Sequence, residues 1–189
     1  MFQTWFLSLG KGSSRALLQI LIMLVGLWCI CRAAMKNNRR MEKVLKLPDG
    51  PAFLDALEAL LQDKHDTRPR EMSQQELGFL AVRQLEAEVN NGGFAQYFFN
   101  SAGSYASDAL WGLHAIGAGV SASILERAMA QFPDGQVPDL RSDRHRVMED
   151  LPESTGAVWD GLDQEFYASR EDIDGMLLRF VRENEREFR

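Results

Sequence analysis

Leu77, Leu80, Ala81, Leu85 and Val89 recur at three- and four-residue steps, and the stripe runs directly into Asn91-Gly92-Gly93. That spacing lines up apolar side chains on one face of an α-helix. Ser73, with Glu76 three residues on, supplies a capping-box start. The double glycine predicts the stop, because glycine accepts the left-handed backbone that closes a helix. Phe94, Tyr97 and Phe98 follow at once and share a face over one turn. Such a chain must bury those rings against neighbouring amphipathic helices. Two readings of this stretch stay open. One is a helix end followed by core aromatics, with Gly92, Gly93 and Phe94 as punctuation. The other is a polar pocket built from Asn90, Asn91, Gln96 and Tyr97.

The flanking segments repeat the helical period. Phe53, Leu54, Leu57, Leu60 and Leu61 make one stripe, opened by Asp49 and Pro51. Leu110, Leu113, Ile116 and Gly117 trace another, which should stop near Gly119, with Ser121 capping the next helix. That helix carries Ile124, Leu125, Ala128, Met129 and Phe132. Trp159, Leu162, Phe166 and Tyr167 supply a further face. Ser169 with Asp172 opens a last helix that points Ile173, Met176, Leu177, Phe180 and Val181 inward. No segment alternates with period two for long. The expected fold is all-α, a compact bundle of about six to eight helices with short loops, preceded by an apolar N-terminal helix.

Charge divides the chain in two. Residues 1–46 hold eight Lys/Arg against one Glu, a net +7. Residues 47–189 hold 13 Lys/Arg against 26 Asp/Glu, a net −13. A domain that acidic repels nucleic acid and bare anionic lipid and attracts basic partners, with strong salt sensitivity. The N-terminal part contains 16 residues, 16–31, in which Gln19 is the one clearly polar side chain. A spanning helix needs about 20 residues, and Ala33, Ala34 and Met35 can extend the run while Arg32 snorkels to the headgroups. A single-pass anchor over 16–35 fits length and flanks best. A cleaved signal peptide, or a translation start at Met35 or Met41 that leaves a soluble cytoplasmic protein, are the alternatives. Lys11 and Arg15 precede the run, whereas Arg32, Lys36, Arg39, Arg40, Lys43 and Lys46 follow it. The positive-inside rule therefore places the acidic domain in the cytoplasm.

Little here has the spacing of a catalytic or metal centre. His65, His114 and His145 lie far apart in sequence, and both cysteines, Cys29 and Cys31, sit in the apolar run. Neither a zinc motif nor a phosphate loop nor a nucleophile elbow is present, so no metal and no cofactor is expected. Carboxylates instead crowd between Glu149 and Asp174, where nine face the single Arg170. Asp160 and Asp163, like Glu149 and Glu153, stand about a turn apart. Paired carboxylates can do acid–base work when burial separates their pKa values. They can also form a solvated face, or present charge to a basic partner in place of DNA. Duplex DNA carries about one charge per 1.7 Å of axis, so such mimicry needs several helices or two subunits.

Glu86-x-Glu88-x-Asn90-Asn91-Gly92-Gly93-Phe94-x-Gln96-Tyr97-Phe98-x-Asn100, followed by Trp159-Asp160-x-Leu162-Asp163-x-x-Phe166-Tyr167, resembles a bacterial domain of unknown function that forms the C-terminal part of a DNA-mimic protein. The likeness covers roughly residues 71–188. It implies an all-helical fold, frequent homodimers, no known catalysis and, for the mimic, an acidic dimer surface that engages a helix-turn-helix regulator. The reading that follows is a non-enzymatic interaction domain over 47–189. Its expected partner is a basic protein, with Glu149, Asp150, Glu153, Asp160, Asp163 and Glu165 as the contacts. The alternative is a small-ligand binder or an enzyme that uses the Asn-Gly-Gly-Phe-x-Gln-Tyr region.

Overall fold

The computed structural model describes residues 19, 21–25, 28 and 38–188. It divides into two units, Met1–Lys43 and Val44–Arg189. In the first, the described residues are all helical, and Leu21 to Val25 are each more than half exposed. The rest of the expected anchor over 16–35, apart from residues 19 and 28, lies outside the described residues. Among the described residues no helix is long and apolar enough to cross a membrane.

The second unit is an all-α bundle, as the stripes predict. Its helices are α1 (Pro51–Thr67), α2 (Gln74–Phe99), α3 (Ala106–Ile116), α4 (Gly119–Met129), α5 (Arg141–Glu149), α6 (Ser154–Ala168) and α7 (Ile173–Glu183), with short 3-10 turns between α1 and α2, α2 and α3, and α4 and α5, and another after α7. Helix α2 is the spine, in contact with α1, α3, α5 and α6. It opens on the expected capping box: Ser73 Oγ accepts from Glu76 N at 3.1 Å, and Glu76 accepts from Ser73 N at 2.9 Å. Glu76 also takes both short bonds from the buried Lys64 Nζ, at 2.6 and 2.7 Å, which ties α1 to the start of α2. Helices α2 and α3 cross on glycine. A Cβ on Gly112 would meet Gly78 O at 2.6 Å, and one on Gly78 would meet the Trp111 ring.

Two aromatic groups fill the core. Around α2, Phe98 packs against Phe132 (4.9 Å between ring centroids) and Trp159 (5.3 Å), while Phe94 meets Phe166 edge-on at 6.0 Å. At the other end Phe188 sits edge-on to both Phe79 and Phe180.

Three local expectations need correction. The double glycine bends α2 and does not end it, for the helix resumes and runs to Phe99. Ser121 lies inside α4. The start of that helix is capped by Glu171, which accepts from Val120 N, Ser121 N and Ser121 Oγ at 2.7–2.9 Å. Burial opposes ionisation of Glu171, but these three bonds outweigh it and hold the carboxyl below its usual range. Asp49 leaves the α1 cap to Gly50 and pairs with Arg182 at 2.7 Å.

Candidate functional site

The two halves of the sequence signature form one contact. At the bend, Gly92 has φ −163° and Gly93 has φ +74° with ψ −175°. Phe94 N, the first donor of the resumed helix, has lost its helical acceptor and donates to Asp163 Oδ1 on α6 at 2.8 Å. Burial raises the Asp163 carboxyl, with the Phe94 amide opposing and the Asp160 charge adding to the rise. One turn further along α6, the Tyr167 hydroxyl donates to Val89 O at 2.7 Å. Across the bend, Glu88 accepts from both Gln96 Nε2 (2.7 Å) and Asn100 Nδ2 (2.8 Å). The Asn-Gly-Gly-Phe segment and the Trp-Asp segment thus dock, with Trp159, Leu162 and Phe166 buried beneath.

The expected polar pocket is not gathered here. Asn90 and Asn91 are exposed, Gln96 is bound to Glu88, and Tyr97 is fully buried. The Tyr97 hydroxyl is buried with no hydrogen-bond partner among the described residues, and burial pushes its pKa up. An unpaired buried hydroxyl costs about 1–3 kcal/mol. Tyr97→Phe should therefore keep the fold and raise unfolding free energy by about 1 kcal/mol. Denaturant titration reads this, and a loss of stability would mean that the hydroxyl has a partner in solution.

The six expected acidic contacts separate into two sets. Asp163 is turned inward on Phe94, and Glu165 pairs with Arg127 on α4. Glu149, Asp150, Glu153 and Asp160 are exposed, and among the described residues no side chain pairs with their carboxylates. They run from the end of α5, through the turn, into the first half of α6.

Helix α5 shows no apolar stripe, and its one buried residue is Arg144. Arg144 is 0% exposed and donates to Phe98 O (2.6 Å), Asn100 O (2.8 Å), Pro138 O (2.7 Å), Asp139 O and Ser104 Oγ. Burial lowers its pKa. Arg141 Nε, 3.0 Å away, and His145 Nε2, 2.6 Å away, both reach Phe99 O. Three consecutive carbonyls at the end of α2 are thus capped from α5. Only the cation-rich composition of residues 141–146 could have hinted at this.

A cleft of about 290 Å³ opens between α1, α2 and α7, lined by Glu58, Arg83, Glu86, Ala87, Asn90 and Asp174. Arg83 spends all three nitrogens there, on Glu58 (2.8 Å), Asp174 (2.8 Å) and Asp55 (3.0 Å). Glu86 is half-buried, and its carboxyl has no hydrogen-bond partner among the described residues. Burial, then the Asp174 charge, push its carboxyl up to about 7, against the pull of Arg83. Among the described residues no group of three or more His, Cys, Asp or Glu side chains could hold a metal ion.

Residues 70–184 match a family model described as DMP19-like protein. Comparisons with curated proteins and with solved structures returned no match.

Proposed function

We propose that this chain, which belongs to the DMP19-like family, is a non-enzymatic acidic interaction protein that captures a basic partner through Glu149, Asp150, Glu153 and Asp160. The observation that carries the reading is that these four carboxylates are exposed on one continuous segment and carry no partner among the described residues. Their charge is free to act outward, whereas Asp163 and Glu165 are committed within the fold. A partner of matching chemistry presents clustered Lys and Arg. A DNA-binding protein of the helix-turn-helix class is the natural candidate, with the acidic segment standing in for backbone phosphates. Four charges fall short of the phosphate density of duplex DNA, so a second copy would have to extend the row. The apolar stretch over 16–35 serves, in this proposal, as a membrane tether. The all-round exposure of Leu21 to Val25 supports that role.

The test is capture from lysate by the immobilised chain at low and then high salt, followed by competition with duplex DNA. A basic DNA-binding protein that elutes with salt and is displaced by DNA supports the proposal. Replacing Glu149, Asp150, Glu153 and Asp160 together by Lys should weaken capture by about tenfold or more while leaving the melting curve nearly unchanged, because rim charges act on encounter rather than on the fold. Capture that ignores salt and these replacements would turn attention to a closed polar site instead. Asp163→Lys is unsuitable for this purpose, since it would remove the acceptor of Phe94 N.

A further inference from the structure

We infer that the cleft between α1, α2 and α7 is a proton-controlled tie, in which ionisation of Glu86 loosens the N-terminal end of α7 from the α1–α2 pair. The geometry sets up a charge conflict. One guanidinium, Arg83 on α2, is already bonded to three carboxylates: Asp55 and Glu58 on α1 and Asp174 on α7. The group stands at net −2 before Glu86 is counted. Glu86 sits one turn along α2, opens into the same cleft and has no side-chain donor among the described residues. Asn90, a further turn on, is the remaining polar side chain of the lining.

As a neutral acid Glu86 leaves Arg83 to bridge the three helices. As an anion it brings the group to −3 and repels Asp174, which stands in the first turn of α7 and forms that helix's bond to Arg83. Asp174 is more than half exposed, so swinging out to water is its cheapest response. The tie between α7 and the spine is then lost while Glu58 and Asp55 stay on Arg83.

The direction with pH follows from the raised carboxyl. Glu86 keeps its proton in the closed form up to about pH 7, whereas a released cleft returns it toward the ordinary value of 4.5. Opening therefore releases a proton, and it becomes more favourable as pH rises between those two limits and levels off above them.

The experiment is native-state amide exchange of the full chain from pH 5 to 7.5, corrected for intrinsic exchange rates, with Glu86→Gln and Asp174→Asn alongside. In the parent chain, protection of the first turns of α7 should fall about tenfold across this range, with the carboxyl signal of Glu86 titrating near neutrality. Glu86→Gln should hold α7 at the protection the parent shows at pH 5, whatever the pH. Asp174→Asn should move the Glu86 titration downward, because the repelling charge is gone. A parent and a Glu86→Gln variant with the same pH profile would overturn the inference. So would a Glu86 carboxyl that titrates below pH 5.5, or one that Asp174→Asn does not move.

Discussion

Arg144→Met should cost about 3–5 kcal/mol, most of the stability of a domain whose whole margin is of order 5–15 kcal/mol. The last carbonyls of any α-helix lack intrahelical donors. At the end of α2, Phe98 O and Asn100 O find theirs on Arg144. The same guanidinium holds Pro138 O and Asp139 O, so it also fixes the loop leading into α5. A cation is well placed there, since the carbonyl end of a helix carries partial negative charge. Methionine keeps much of the volume and removes every donor, which leaves several buried acceptors unpaired. Arg144→Lys should recover little, because an ammonium is a point donor and cannot fork to carbonyls on opposite sides. Denaturant unfolding followed by circular dichroism measures the loss. A Met variant within 1 kcal/mol of the parent would show that water replaces the guanidinium at no great cost, and the clamp would then be ornamental.

The same residue explains what could be read from the sequence and what could not. Apolar stripes reported α1, α2, α3, α4, α6 and α7 because those helices bury hydrocarbon on one face. Helix α5 buries a charge, so periodicity is blind to it. The Ser73–Glu76 box was legible because donor and acceptor are three residues apart. The cap of α4 was not, because its acceptor, Glu171, lies 50 residues from Ser121 and nothing local marks it. Six carboxylates between Glu149 and Glu165 look alike in sequence. They differ only in whether a donor reaches them, and the donors come from α2 and α4. The row of contacts narrows to Glu149, Asp150, Glu153 and Asp160 on that ground alone.

Gly93→Ala carries the second large effect, and it tests the bend that joins the two signature segments. At φ +74° and ψ −175° the backbone is in a region essentially reserved for glycine. A Cβ built there would lie 2.0 Å from Asp163 Oδ2 and 2.6 Å from its Cγ. Alanine must therefore distort the bend, or expel Asp163, or both. Backbone strain of about 1–3 kcal/mol adds to loss of the acceptor for Phe94 N, about 0.5–2 kcal/mol by analogy with helix N-caps. The expected total is about 3 kcal/mol. Asp163→Ala alone should cost only the cap. The double variant separates the two causes. Since Ala at 163 removes the atoms that the new Cβ would strike, the combined loss should fall short of the summed single losses by about 1 kcal/mol, as neighbouring sites do when they share one contact. Strict additivity would place the whole Gly93 effect in its own backbone angles. A Gly93→Ala chain as stable as the parent would mean that the bend relaxes to another conformation, and the docking of Asn-Gly-Gly-Phe on Asp163 would lose its structural meaning.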